Sequence, residues 1–140
     1  NYFQAQLLAY DADEITKWLS HFQQFMRGCL KFDMIKISQW IEETSALGRE
    51  KQKQFLHYSI HLFRSCLMQN FGSPSLVKLG VEETEFIIKF SPFIHLNNFE
   101  KIIEEFNKAY YHIERNANPK ILFIDLALKI NELLNTKKPD

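Results

Sequence analysis

Two histidines stand four residues apart in the run HYSIH at 57–61, a spacing that places both imidazoles on one face of a helix. Such a pair can bind zinc, and in zinc proteases a glutamate directly follows the first histidine as general base. Here Tyr58 occupies that position, and no third ligand falls on the same face. The pair therefore predicts two solvent-exposed histidines, and we assign no metal ligand.

Neither carboxylate pairs nor glycines offer a catalytic pattern. Acid–base catalysis needs carboxyl groups whose pKa is shifted by burial or by charged neighbours. The adjacent carboxylates all fall on predicted helix surfaces: Glu42/Glu43, Glu82/Glu83 and Glu104/Glu105. A phosphate-binding loop needs several glycines ahead of a Lys and a Ser or Thr, but the four glycines stand apart. We expect no catalytic residue, no cofactor, no small-molecule substrate and no ATP hydrolysis.

Composition and charge narrow the class of protein further. The 140 residues suffice for one domain, and 17 basic side chains balance 17 acidic ones. A neutral chain lacks the electrostatic signature of a nucleic-acid binder, so we expect no direct DNA contact. Cys29 and Cys66 fall on apolar helical stripes, which predicts reduced core thiols in a cytoplasmic protein. No signal peptide or membrane-spanning run is visible.

Apolar residues recur at spacings of three and four along most of the chain, which is the period of amphipathic helices. The pattern predicts an all-α fold, a single bundle of about six or seven helices. Their expected ranges are 2–10, 11–30, 34–47, 49–70, 82–91, 97–116 and 119–134, with Gly48 ending the third and Asn97 or Asn98 capping the sixth. Only 85–94 is ambiguous between helix and strand, and 136–140 is expected to be a flexible tail.

The final helix is unusually apolar. Asn118 is its predicted N-cap and Pro119 its first residue, where a missing N–H costs nothing. Apolar side chains cover more than two-thirds of its circumference, and Asp125 and Lys129 share the remaining polar stripe. Either this helix lies at the centre of its own bundle, or one edge of it meets another protein. For the second case we predict an interface at Ile121, Ile124 and Leu128, with Tyr111 on the preceding helix as a further contact.

Two segments together resemble a known family: ALGREKQKQFLHYSIHLFR at 46–64 and HIERNANPKILFIDLALKI at 112–130. They are similar to the C-terminal domain of the delta-prime subunit of the bacterial DNA polymerase III clamp loader, in the form typical of Bacteroidetes. The resemblance extends from about Trp18 to Leu134. The Asn-Ala-Asn turn before the last helix is its most telling part.

The resemblance implies an assembly role. In that family an N-terminal AAA+ module precedes a helical domain, and five such domains form a collar that holds the loader together. The chain begins without a Met, and we expect 1–140 to be the collar domain of a longer protein. Its expected partners are the gamma/tau and delta subunits, and its expected role is to assemble the loader that places the sliding clamp on DNA.

Other readings stay open at this point. The chain is alternatively the collar domain of a gamma/tau or delta subunit, a helical adaptor or nucleic-acid-binding bundle of another machine, or a small metal-dependent helical enzyme.

Overall fold

The computed structural model describes residues 11–72 and 80–140, and within these ranges the chain is all-α. The predicted fold class is confirmed, and the ambiguous run 85–94 is helical. The helix predicted at 2–10 lies outside the described residues. The described elements are α1 (Ala12–Lys31), α2 (Met34–Ser45), α3 (Arg49–Asn70), α4 (Val81–Phe90), a 3-10 helix (Ser91–Phe93), α5 (Phe99–Glu114) and α6 (Pro119–Leu134).

A tight left-handed turn joins α1 to α2. Phe32 has a φ of +50°, and the Asp33 amide donates to the Gly28 carbonyl at 2.9 Å, which closes the end of α1. The side chain of Asp33 then caps α2 by accepting from the Lys36 amide at 3.2 Å. A left-handed conformation costs a non-glycine residue about 1–2 kcal/mol, and the packing of the Phe32 ring against the core offsets part of that cost.

The centre of the bundle is α3, which packs against α1, α4, α5 and the 3-10 helix. Every residue from 58 to 63 is buried, so this helix is covered on all sides for more than one turn. The prediction that His61 lies on an exposed face is therefore wrong, since its side chain is 5% exposed. The apolar period of α3 predicts a helix with one buried and one exposed face, and His61 falls on the face predicted to be exposed.

The last helix lies at the edge of the bundle, where α6 packs against α1, α2 and α5. Its inward residues are buried: Phe123, Leu126, Ala127, Ile130 and Leu134. Leu122 and Leu133 are half-buried on the side that faces α5. Since α3 occupies the centre, the apolar circumference of α6 exceeds what the core can cover.

One predicted helix boundary is wrong, and one predicted cap is confirmed in position but not in its hydrogen bond. α2 ends at Ser45, and Gly48, with a φ of +88°, precedes α3 and accepts from the Gln52 amide at 3.1 Å. Asn98 does precede α5, but its side chain makes no capping hydrogen bond there. Gly48 and Asn98 therefore each lie in the short turn between two elements. Helices in a compact bundle follow one another through such turns.

Asparagine amides satisfy carbonyl groups at the ends of neighbouring elements. The buried Asn98 donates to the carbonyls of Phe93 and Leu133, at 2.9 and 3.0 Å, and accepts from the His95 amide at 2.9 Å. Asn131 of α6 likewise donates to the Cys29 carbonyl at 2.7 Å. The last four carbonyls of a helix have no partner within it, so these amides fix where α1 and α6 end against their neighbours.

At the end of the chain, the carbonyls of Thr136 and Lys137 also have partners. The Thr136 carbonyl lies 3.2 Å from the His95 imidazole, and the Lys137 carbonyl accepts from Asn97 at 3.0 Å. These contacts place the start of the tail predicted at 136–140 beside the segment between the 3-10 helix and α5.

We predict that Asn98→Ala lowers the free energy of unfolding by about 2 kcal/mol, because the Phe93 carbonyl and the His95 amide lose their side-chain partner and the Leu133 carbonyl keeps only the Thr136 amide as a donor. Asn97→Ala, which removes one exposed hydrogen bond, is the matched control and should cost less than about 0.5 kcal/mol. Urea denaturation followed by circular dichroism measures both. Equal effects of the two changes would contradict the role assigned to Asn98.

Candidate functional site

The outer side of α6 carries an apolar ridge that the bundle does not cover. Ile121 is 68% exposed and Leu128 is 51% exposed. Ile124, between them in the helical row, is half-buried and packs against the core. The structure thus brings the three predicted residues onto one side of α6, two of them facing solvent and one forming the edge of the core.

The turn before α6 fixes the direction of this ridge. Asn116 has a φ of +69°, and the Ala117 amide donates to the His112 carbonyl at 2.9 Å, which ends α5 in a Schellman motif. The Asn118 carboxamide oxygen then accepts from the amides of Lys120 and Ile121, at 3.0 and 3.2 Å. Pro119 is the first residue of the helix. The Asn-Ala-Asn segment therefore ends one helix and caps the next with hardly any loop between them.

Ion pairs flank the ridge on both sides. Lys120 lies 3.0 Å from Glu42 of α2. On the other side, Lys129 lies 2.9 Å from Asp125, which shares its polar stripe on α6, and 3.3 Å from Glu105 of α5. Hydrogen bonding to Asp125 raises the pKa of the Lys129 ammonium, and Glu105 adds to this effect. These exposed pairs orient the side chains around the ridge and add little to stability.

Tyr111 lies apart from the ridge, on the outer surface of α5. Its side chain is 52% exposed, and the Arg115 guanidinium lies 3.5 Å from the centre of its ring. Arg115 also donates to the Tyr111 carbonyl at 3.0 Å. The structure therefore does not join Tyr111 to Ile121 and Leu128 in one patch, and it remains a separate contact candidate.

Sequence reasoning missed two exposed apolar residues at the start of α2. The helical period predicts Met34 on the same buried face as Ile37 and Ile41, but its side chain is 51% exposed, and its neighbour Ile35 is 73% exposed. Met34 precedes the first buried residue, Ile37, and lies at the end of the helix where the bundle no longer covers it. Ile35 does not share a helix face with Ile37 and Ile41. This mismatch is the feature of the sequence that could have identified Ile35 as exposed.

The histidines of α3 are not arranged as an exposed pair. The His57 ring stacks on Tyr110 of α5, with ring centres 4.2 Å apart. Burial lowers the pKa of His57, and Lys53 adds to this effect, while Glu114 opposes it. Burial, with a smaller contribution from Arg64, lowers the pKa of His61 to about 4. Among residues 11–72 and 80–140, no group of three or more His, Cys, Asp or Glu side chains is placed to hold a metal ion.

A third histidine takes part in a polar contact between α1 and α2. His21 Nε2 lies 2.7 Å from the Thr44 hydroxyl, and that hydroxyl donates its proton to the Trp40 carbonyl at 2.7 Å. The Thr44 hydroxyl thus lies within hydrogen-bond distance of both the His21 ring and the Trp40 carbonyl. The Trp40 indole in turn donates to the His21 carbonyl at 2.9 Å and stacks on its ring. Burial, with a smaller effect of Lys17, lowers the pKa of His21 to about 4.

Glu83 is a buried carboxylate, so the prediction that its pair with Glu82 lies on the surface is wrong for this member. The Tyr58 hydroxyl donates to one carboxylate oxygen at 2.6 Å, and the Gly80 amide donates to the other at 3.2 Å. Burial and the neighbouring Glu83 charge raise the pKa of Tyr58. Both oxygens of Glu83 thus hold α4 against α3, and this contact is structural.

The two cysteines are buried free thiols in the core, as predicted. Burial raises the pKa of the Cys66 thiol to about 12 and also raises the pKa of Cys29. The reactive species of cysteine is the thiolate, so both side chains are chemically inert at neutral pH.

Comparison with known proteins identifies no relative: the chain matches no family model, no curated protein and no solved structure. Within the part of the chain that the structure describes, no helix is both long enough and apolar enough to cross a bilayer. The outer ridge of α6 is thus the strongest candidate site, and its chemistry is that of a protein contact, with large apolar side chains bordered by charged ones.

Acid should destabilise the fold through His21, which is half-buried, and His61, which is buried. Their pKa values near 4 lie below the value of about 6.5 in an unfolded chain. Well above pH 6.5 both histidines are neutral in the folded and in the unfolded state, so their full contribution to the free energy of unfolding is present. Between pH 6.5 and 4 the unfolded state binds more protons, and the free energy of unfolding should fall by about 3 kcal/mol per histidine.

NMR titration of the imidazole resonances tests this expectation. The His21 and His61 signals should not move between pH 7 and 5, whereas the same histidines in the urea-unfolded chain should titrate near pH 6.5. A midpoint above pH 6 for either residue in the folded protein would contradict its assigned environment.

Substitutions along α6 should separate into two groups. Leu126→Ala should lower the free energy of unfolding by about 2–5 kcal/mol, because it opens a cavity in the core. Ile121→Asp and Leu128→Asp should change it by less than about 1 kcal/mol, because these side chains already face water. Thermal melts followed by circular dichroism compare the three. Unfolding of both Asp variants would show that the ridge is internal.

Proposed function

We propose that this chain is an oligomerisation domain of the collar type, the C-terminal part of a clamp-loader delta-prime subunit. In this proposal it contacts the gamma/tau and delta subunits in the cytoplasm and helps to assemble the loader that places the sliding clamp on DNA. It binds no nucleic acid itself and carries out no catalysis.

One observation carries this proposal: the uncovered apolar ridge of Ile121 and Leu128 on the outer side of α6. Exposed apolar residues are ordinary singly, and Val81 and Ile88 of α4 are also seven residues apart. Polar Thr84 and Glu85 interrupt that row, whereas Ile124 continues the apolar row on α6, which indicates a contact with another protein. The ridge is held in place by the capped turn at 116–118 and by ion pairs on both sides. A preformed apolar face on a neutral domain fits assembly better than it fits DNA binding.

The Asn-Ala-Asn turn is the feature that links the proposal to the clamp-loader family. This segment carries the sequence resemblance, and its geometry ends α5 and starts α6 within three residues. A residue in the left-handed conformation followed at once by an N-cap explains why this position favours asparagine twice. The proposal thus connects the most distinctive sequence feature with the element that bears the candidate interface.

Co-purification tests the proposed function directly. Tagged wild-type chain, co-expressed with the gamma/tau and delta subunits of the same organism, should elute with them as one complex in size-exclusion chromatography. Leu128→Asp should stay folded and elute alone, whereas Val81→Asp, which changes an equally exposed apolar residue on α4, should join the complex. If the wild-type chain elutes alone, the proposed function is wrong.

We expect the purified chain to hydrolyse no ATP above the background of a mock purification, since the sequence contains no phosphate-binding loop. A coupled assay with the chain at micromolar concentration measures this. Turnover that persists when the host ATPases are removed would contradict the assignment as a non-catalytic domain.

A further inference from the structure

The C-terminal tail, residues 136–140, crosses the segment that joins the 3-10 helix to α5. The Thr136 carbonyl lies 3.2 Å from His95 Nε2, and the Lys137 carbonyl accepts from the Asn97 carboxamide at 3.0 Å. The Asn97 main-chain amide donates to His95 Nδ1 at 3.2 Å. Since a carbonyl only accepts and a main-chain amide only donates, His95 donates from Nε2 and accepts at Nδ1. Its ring thus links the tail to the segment before α5.

Beyond these contacts the tail reaches an apolar groove of about 250 Å³ at the end of α3, which Lys138 and Pro139 help to line. The apolar residues that line this groove on the bundle are Leu67, Phe71, Pro92, Ile94 and Leu96. Ile94 is fully buried, whereas Phe71 and Leu96 remain 62% and 66% exposed. The tail therefore covers only part of the groove.

The groove is shaped by contacts that do not involve the tail. The Asn70 carboxamide donates to the Ser91 carbonyl at 2.8 Å and also to the Ile94 carbonyl, which ties the end of α3 to the 3-10 helix. The two sides of the groove are thus fixed to each other within the bundle, and the groove persists when the tail leaves it.

The contacts of the tail suit an extended segment of almost any sequence. Both hydrogen bonds from His95 and Asn97 go to main-chain carbonyls, and the groove beside them is apolar. In several modes of peptide recognition, hydrogen bonds to the main chain supply affinity and apolar pockets supply specificity.

We propose that this groove, together with His95 and Asn97, is a docking site for an extended segment, and that the chain's own C-terminal tail occupies it as a releasable strap. The inference concerns contacts within this chain and does not depend on the proposed function.

The strap is held weakly enough to open. Each of its two hydrogen bonds contributes little net free energy, and ordering the tail costs conformational entropy. Residues 137–140 are exposed along their whole length. Release of such a segment is a local opening that leaves the bundle folded. It frees the donors of His95 and Asn97 and uncovers the groove.

NMR relaxation of the ¹⁵N-labelled full chain tests whether the tail is seated. The order parameters of the Lys137 and Lys138 amides should exceed about 0.6 in the wild type, the value below which a backbone is flexible. Asn97→Ala should bring both below this value, because it removes the donor to the Lys137 carbonyl. Asn107→Ala, at an exposed asparagine of α5, should leave them unchanged. Values below about 0.6 in the wild type would overturn the strap.

The same measurement tests the part played by the groove. Leu96→Ser should lower the order parameters of Lys138 and the segment after it, because it removes an apolar contact surface for Pro139. Ile88→Ser, at a comparably exposed apolar position on α4, should have no effect. A tail equally ordered in Leu96→Ser would show that the groove does not hold it. Circular dichroism checks that each variant is folded.

A synthetic peptide of residues 135–140 tests whether the site accepts a segment that is not tethered. A tethered segment has an effective concentration in the millimolar range, so unlabelled peptide at about 10 mM should displace the tail in part. The Lys137 and Lys138 resonances should then move towards their positions in Asn97→Ala. Resonances that do not move would overturn the docking site. A tail that becomes ordered only as the concentration of the chain rises would belong to the groove of a second copy, and this result would overturn the intramolecular strap.

Discussion

The burial of α3 on all sides is the constraint on which the other elements depend. A bundle of this size has room for one helix at its centre, and residues 58–63 occupy it. A helix so enclosed must satisfy its polar side chains internally. Ser59 does so by donating to the Phe55 carbonyl, and Tyr58 by donating to Glu83. Each of these contacts fixes α3 or a neighbouring helix, so the polar groups of the centre add specificity to its apolar packing.

The position of α3 explains why α6 is apolar around most of its circumference. Since the centre is taken, α6 lies at the edge, where α1, α2 and α5 cover only one side of it. The side chains that remain outside, Ile121 and Leu128, are not needed by the core. Exposed apolar side chains lower the solubility of a protein, so their presence is consistent with a surface that another protein covers. Met34 and Ile35 of α2 are exposed apolar residues of the same kind.

Junctions between helices complete this arrangement. The left-handed residues Phe32 and Asn116 end α1 and α5, and Asp33 and Asn118 start the helices that follow. The amide of Asn98 ties the end of α6 to the segment before α5. Short junctions of this kind leave neighbouring helices little freedom to shift, so the apolar ridge of α6 is held in one orientation, and a partner would lose little entropy in ordering it.

The sequence by itself determined the fold class, the helix order and the cap at Asn118, because these follow from local periodicity and turn chemistry. It also placed Ile121, Ile124 and Leu128 on one edge of α6 by the same periodicity. Only the tertiary structure decided that α3 rather than α6 is central, that His61 and Glu83 are buried, and that Met34 is exposed. Those facts depend on contacts between residues far apart in the chain, such as Tyr58 with Glu83 and Lys120 with Glu42. A helical period shows which residues share a face, but what covers that face is fixed only when the helices pack.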